Sequence, residues 1–179
     1  SDSLEGKSIQ RIQRNLDRLK DVQAIVQEIV SPPKYQPQNL QVELAINEIL
    51  DDLRKKSFHR SVTLISQLEP IETDIIDPRM LWRILQTLAK NAVENSPDEA
   101  QVIISLSKIS SGILLRVEDH GIGIPASDRE FIFKAFHHTQ ETDQYSTKKP
   151  FDFNAGGKGL ELMHLNILAE QGAFDISFE

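Results

Sequence analysis

The stretch Val117-Glu118-Asp119-His120-Gly121-Ile122-Gly123-Ile124-Pro125 ends an apolar, strand-like run in a carboxylate followed by two glycines. An ionised Asp119 only accepts hydrogen bonds, which suits an amine donor. Gly121 and Gly123, two and four residues further on, let backbone approach a flat ligand closely and adopt positive φ. An ordinary turn with a solvated Asp fits the same five residues equally well, so the neighbouring segments carry weight.

Upstream, Leu88-Ala89-Lys90-Asn91-Ala92-Val93-Glu94-Asn95-Ser96-Pro97 lies on a helix. The 3,4 spacing places Thr87, Asn91, Glu94 and Asn95 on one side of it. An amide oxygen among hydroxyl and carboxylate groups suits a hard cation such as Mg²⁺, whose shell is completed by waters and phosphates. Solvated amides on a helix give the same pattern. Downstream, Asn154-Ala155-Gly156-Gly157-Lys158-Gly159-Leu160-Glu161-Leu162 is a loop that opens a helix. Free N–H groups and the helix dipole there favour an anion, typically phosphate, and Lys158 adds a mobile positive charge. A flexible hinge fits as well. The Walker spacing Gly-x-x-x-x-Gly-Lys-Ser/Thr is missing.

The rest of the chain supplies the frame. Leu40 to Lys56 has helical spacing, and Ser61 to Leu68 and Ile71 to Ile76 read as strands. Asp77 suits an N-cap, with Pro78 at the first helical position of a helix running to about Asn95. Gln101 to Leu106 and Gly112 to Glu118 are strands around a Ser-Ser-Gly turn. Ser127 to Phe136 is expected as a short helix, residues 137–157 as a long mobile loop of the kind that serves as a lid, Gly159 to Gln171 as a helix and Ala173 to Phe178 as a last strand. Before all of these, residues 4–30 form one long helix. Ile9, Ile12, Leu16, Leu19, Gln23, Val26 and Val30 follow a heptad seam with one polar break. Val22, Ile25 and Ile29 add a second stripe, so the later half calls for more than one neighbour. The proline-rich Ser31-Pro32-Pro33-Lys34-Tyr35-Gln36-Pro37 then stops the helix.

Composition narrows the classes. The 179 residues carry a formal net charge of −7, with 39% hydrophobic and 26% charged residues. This is an ordinary globular balance, long enough for one sizeable core. With a pI near 5.3 and no basic block, a phosphate-driven nucleic-acid binder is excluded. There is no cysteine, hence no disulfide, thiol catalysis or zinc ribbon. No apolar run approaches the roughly 20 residues of a membrane span, and the N-terminus is not a signal peptide. No membrane contact by this chain is expected, and its expected location is cytoplasmic, including as the cytoplasmic part of a membrane-bound sensor.

The three motifs, in this order, resemble the N-box and the two glycine boxes of the GHKL ATP-binding superfamily, in the form seen in sensor histidine kinases. Asp77-Pro78-Arg79-Met80-Leu81-Trp82-Arg83-Ile84-Leu85 is similar to the family's segment leading into the N-box helix. Phe131-Ile132-Phe133-Lys134-Ala135-Phe136 is similar to its phenylalanine box. The resemblance covers roughly residues 37–178. It implies an α+β fold, a two-layer α/β sandwich of the Bergerat type with a mixed sheet and helices on one face, preceded by the long N-terminal helix. Residues 1–31 then resemble the second helix of a dimerisation and histidine-phosphotransfer hairpin, 32–38 a linker, and 39–179 the catalytic and ATP-binding domain, shortened at its C-terminus.

Carried over, the resemblance implies that Asp119 binds the adenine amine, that Gly121 and Gly123 shape the base pocket, and that Ile124 lines it. Asn91 ligates Mg²⁺ between the phosphates of ATP. Gly157, Gly159 and Leu160 offer backbone donors to the phosphates, with Lys158 assisting as a catalytic group alongside Asn91. Asn95 stands beside the nucleotide where an aromatic residue is frequent, and Phe133 and Phe136 anchor the lid. Thr87 occupies the place of the general base of gyrase-type relatives, so hydrolysis of that type is not expected. Glu94 stands where a Lys is common, and Glu161 replaces the third glycine of the last box. None of His59, His120, His137, His138 and His164 has the context of a phospho-acceptor. The expected partners are therefore a hairpin bearing that histidine, outside this chain, and a response regulator, with a homodimer in the full-length protein. Two other readings remain at this point. Glu94 and Glu161 favour a degenerate nucleotide-binding or interaction module without kinase activity. A GHKL protein-serine kinase is argued against by the 4–30 helix.

Overall fold

The computed structural model describes residues 4–57, 61–121, 123–129, 131–133, 160–170 and 174–178. Its elements in chain order are α1 (Leu4–Val30), β1 (Gln38–Gln41), α2 (Val42–Ser57), β2 (Thr63–Leu68), β3 (Glu72–Ile76), α3 (Pro78–Asn95), β4 (Gln101–Ile109), β5 (Gly112–Glu118) and α4 (Leu160–Glu170).

A mixed sheet of order β2-β4-β5 forms one layer. β2 and β4 are parallel, pairing Thr63 with Gln101 through Leu68 with Leu106. β4 and β5 are antiparallel, from Ile103 opposite Glu118 to Ile109 opposite Gly112. The parallel pair needs a crossover, and β3 and α3 supply it. Gly112 turns the hairpin with φ 146°. On β4 the period-2 alternation puts Val102, Ile104 and Leu106 into the core. Ile46, Leu50 and Leu53 of α2 and Leu81, Leu85, Ala89 and Val93 of α3 meet them there. This is the two-layer α+β sandwich expected from the sequence. Beside it, β1 and β3 pair antiparallel as a separate two-stranded sheet with an irregularity between Gln38 and Leu40.

The start of α3 is defined by Asp77, whose φ and ψ of −81° and 125° are extended and whose Oδ1 accepts from Arg79 N at 2.8 Å. Pro78 follows at the first helical position, as the sequence anticipates. At the other end the Ser96 hydroxyl donates to Ala92 O at 2.7 Å. That hydroxyl closes the last turn of the helix carrying the Asn91 segment. The proline-rich stretch is tethered to the same cap. Gln36 N donates to Asp77 Oδ2, and Arg79 Nη2 donates to Lys34 O at 3.1 Å. Gln38, placed in the linker by sequence, belongs to β1.

The two stripes of α1 part company. Ile25 of the second stripe is buried and Val22 and Ile29 are half-buried, where α1 packs on α4. Ile9, Ile12, Leu16, Leu19, Val26 and Val30 of the heptad seam remain exposed.

Three expectations need correction. Residues 38–41, read as part of linker and helix, are a strand. Residues 127–129 and 131–133, within the helix expected over Ser127 to Phe136, are turns. Asp128 N donates to Pro125 O and Phe131 N to Asp128 O, both at 2.9 Å. Three-residue spacing of this kind closes single turns, not an α-helical ladder. Residues 174–178 are not a strand, despite their alternation. Phe178 instead lies against Phe133, with ring centroids 5.8 Å apart and planes at 54°.

Candidate functional site

The end of α3 and the turn leaving β5 are in direct contact, which brings two of the three motifs together. A Cβ on Gly121 would lie 2.3 Å from Asn95 O and 2.8 Å from Asp119 Oδ1. Only a residue without a side chain fits between that carbonyl and that carboxylate. Gly121 N donates to Asp119 Oδ1 at 2.8 Å. This local turn uses one carboxylate oxygen and leaves Oδ2 for another donor. Asp119 is exposed to solvent, so an incoming group can reach it. Gly123 has φ 70° and open space around its missing Cβ. Its glycine is required by backbone conformation, whereas that of Gly121 is required by a close approach. Ile124 is half-buried beside it. His120 makes a 3.2 Å contact between Nδ1 and Gln101 O, so Nδ1 carries the proton there.

On α3, Asn91 and Asn95 are both half-buried and one turn apart. Asn95 Nδ2 donates to Asn91 O at 2.8 Å and to Asn91 Oδ1 at 3.2 Å. Asn91 therefore presents an oriented amide oxygen. A single neutral oxygen is a poor metal site alone, and no cluster of three or more His, Cys, Asp or Glu capable of holding a metal occurs among the described residues. It does fit Mg²⁺ that arrives on a nucleotide, since that ion keeps waters and phosphate oxygens for most of its shell.

The third motif meets α3 through a charge pair. Lys90 Nζ lies 2.9 Å from Glu161 Oε1, with side chains 16% and 33% exposed. Glu161 sits in the first turn of α4. Its carboxylate is thus engaged by the residue before Asn91. Leu160 opens α4. Gly157, Lys158, Gly159, Phe136, His137, His138 and the expected lid at 137–157 lie outside the described residues.

A further cluster was not foreseen. Arg83 of α3 is ion-paired with Glu28 of α1, and His164 Nε2 of α4 lies 3.4 Å from Glu28 Oε2. His164 is 2% exposed. Burial, partly countered by the Glu28 carboxylate, pushes its pKa below 6.5. Burial and the same carboxylate push the Tyr35 phenol up. These residues come from four separate segments, and nothing in local spacing could have joined them.

Residues 76–178 match the family of histidine kinase-, DNA gyrase B- and HSP90-like ATPases. The chain belongs to this family. Over 174 residues it is 25% identical to the sensor histidine kinase CpxA of Escherichia coli (strain K12), covering 93% of this chain and 35% of CpxA. It is 26% identical over 170 residues to the alginate biosynthesis sensor protein KinB of Pseudomonas aeruginosa, covering 90% of this chain and 26% of KinB. The chain thus spans about a third or less of those relatives. Among solved structures, the histidine kinase AdeS of Acinetobacter baumannii is similar with a TM-score of 0.65 at 18% identity, covering 94% of this chain and 73% of that one. Full-length ShkA in complex with AMPPNP is similar with a TM-score of 0.68 at 20% identity, covering 92% and 32%. Both share the fold. Family and relatives together make this chain an ATP-binding catalytic domain of the sensor histidine kinase type.

Proposed function

We propose that this domain binds Mg·ATP between the end of α3, the Asp119–Gly123 turn and the start of α4, and transfers the γ-phosphoryl group to a histidine on a separate hairpin. The observation that supports this most is the seating of Gly121 on Asn95 O. It sets an adenine-type acceptor, Asp119, beside the helix that carries the cation ligand Asn91. Asp119 Oδ2 accepts from the adenine amine while Gly121 N holds Oδ1. Gly123 and Ile124 complete the base pocket. Asn91 Oδ1 would be the chain's own ligand to Mg²⁺, which would supply charge neutralisation to the phosphates. Gly157, Gly159 and Leu160 donate backbone N–H groups to the phosphates, and Lys158 adds a cation. Transfer breaks the bond from the γ-phosphorus to the bridging oxygen, which leaves with ADP, and forms a bond to the unprotonated ring nitrogen of the histidine, while the proton on the other ring nitrogen is lost to water. Alignment and charge neutralisation account for most of the catalysis.

Thr87 cannot act as a base near neutral pH, so activation of water of the gyrase type is missing at that position. The phosphoryl group then passes to a response regulator, in a parent that is a cytoplasmic or membrane-anchored homodimer. The reading as a module without kinase activity leaned partly on Glu161, and the Lys90 partner neutralises that carboxylate.

Calorimetric titration tests the nucleotide assignment. Mg·ATP is expected to bind at micromolar to millimolar Kd, roughly −4 to −8 kcal/mol. Asp119→Asn, which turns an acceptor into a group that also donates, is expected to lose on the order of 1–3 kcal/mol. Equal affinities would remove Asp119 from the adenine site.

A further inference from the structure

We infer that Asn95 is a positioning residue whose side-chain amide holds the Asn91 oxygen in the orientation that receives the nucleotide's cation. This rests on the proposed reading of Asn91 as the Mg²⁺ ligand and goes beyond it. The resemblance places Asn95 only as a neighbour of the nucleotide, in a position where an aromatic ring is frequent.

The hydrogen bonds dictate the assignment. Asn95 Nδ2 is 2.8 Å from the backbone oxygen of Asn91. A carbonyl oxygen only accepts, so this end of the Asn95 amide must be the NH₂ group. The same NH₂ lies 3.2 Å from the terminal amide of Asn91. An NH₂ facing another NH₂ would be repulsive, so the Asn91 atom there must be oxygen. Left alone, an Asn side chain rotates broadly about its last torsion, with two roughly equivalent faces. Half of those states turn an NH₂ toward the cation. The Asn95 amide removes them, and the second lone pair of Asn91 Oδ1 stays available as a ligand.

Asn95 is itself held in place. Its backbone oxygen occupies the space a Cβ on Gly121 would need, at 2.3 Å. One residue therefore touches the metal-ligand side chain through its amide and the base-binding turn through its carbonyl. Partners that orient a ligand in this way are commonly worth 10–100-fold in metal affinity. An aromatic ring at this position carries no terminal NH₂ to bond both Asn91 O and Oδ1, so the structure assigns to Asn95 a role that the usual aromatic does not fill.

The test uses the 179-residue chain and the β,γ-imido analogue of ATP, titrated calorimetrically once in Mg²⁺ and once in EDTA. In the unsubstituted chain Mg²⁺ should tighten binding. Asn95→Leu keeps the bulk and Asn95→Ala favours the helix, but neither donates. In both, the gain from Mg²⁺ should fall about tenfold or more, over and above any change in the affinity in EDTA. Asn91→Ala should abolish the gain, and adding Asn95→Leu to it should change nothing further, because the two act as one unit. An undiminished Mg²⁺ gain in both Asn95 variants overturns the inference. So does an equal loss in Mg²⁺ and EDTA, which would mean that Asn95 contacts the nucleotide or only supports the fold. If the unsubstituted chain itself shows no Mg²⁺ gain, the Asn91 reading fails first and takes this inference with it.

Discussion

At the scale of single residues, two of the four departures from the motifs, Asn95 and Glu161, have partners elsewhere in the site. Asn95 bonds to Asn91, and Glu161 pairs with Lys90. Glu161, which stands where the last box has its third glycine, holds Lys90 through its carboxylate. Glu161→Gly removes the ion pair with Lys90, whose side chain is 16% exposed, and puts a poor helix former into the first turn of α4. Melting measurements should show a loss of about 1–2 kcal/mol, the sum of a glycine in a helix and a partly exposed ion pair. Nucleotide affinity should not rise. The charge swap Lys90→Glu with Glu161→Lys should recover part of the stability. Gly121→Ala should be worse than either, since its methyl would sit 2.3 Å from Asn95 O. Loss of nucleotide binding is expected there, and unchanged binding would mean that the turn does not seat on α3. Asp119, Gly121 and Asn91 were legible because their chemistry lies in residue type and spacing. Their contacts were not, because Gly121 and Asn95 are joined by folding and not by sequence.

At the scale of elements, apolar period was the dependable signal. α3 has Leu81, Leu85, Ala89, Ala92 and Val93 on one buried face, so its existence and both its ends were readable. Leu85→Ala should cost about 2–5 kcal/mol, measured by denaturant unfolding. β1 was not readable. Gln38-Asn39-Leu40-Gln41 holds one apolar residue and becomes a strand only because β3 lies antiparallel to it. The opposite error occurred at 174–178, where Phe174, Ile176 and Phe178 alternate. A period of two states a preference, but a strand also needs a ladder partner, and Phe178 found the Phe133 ring instead. The α3 cap yields a pH prediction. The Arg79 guanidinium, helped by the backbone N–H groups of Gln36 and Arg79 and opposed by burial, holds Asp77 well below 3.8, to about 2. A depressed carboxylate contributes stability above its unfolded pKa and loses it as pH falls through the folded value. About 1–2 kcal/mol should therefore disappear between pH 4 and pH 2, after discounting for the exposure of Arg79 to water. Asp77→Asn should flatten that part of the acid titration. An unchanged acid limb would contradict the role of the cap.

At the scale of the whole molecule, α1 is joined to the nucleotide-binding body on one side and bare on the other. Its buried side meets α4 and, through Glu28, Arg83 of α3. The sequence told that α1 had two stripes, but not which of them the body would cover, because both have helical spacing. The junction includes His164, held neutral by burial. A histidine whose folded pKa lies below its unfolded value destabilises the fold as pH falls from about 6.5, where the unfolded chain takes up the proton first. Stability should decline below that pH and level off once the folded form is also protonated. His164→Leu should remove this step while leaving the Asp77 step in place.

The central claim is that this domain passes the γ-phosphoryl of ATP to a histidine on another segment of its parent. Radiolabel transfer from ATP to a separately expressed hairpin of the parent protein tests it most directly. The proposed function predicts label on the hairpin, none on this chain, and loss of transfer in Asn91→Ala. Tight nucleotide binding with no label reaching the hairpin, either in the separated pair or in the full-length parent, would contradict the claim.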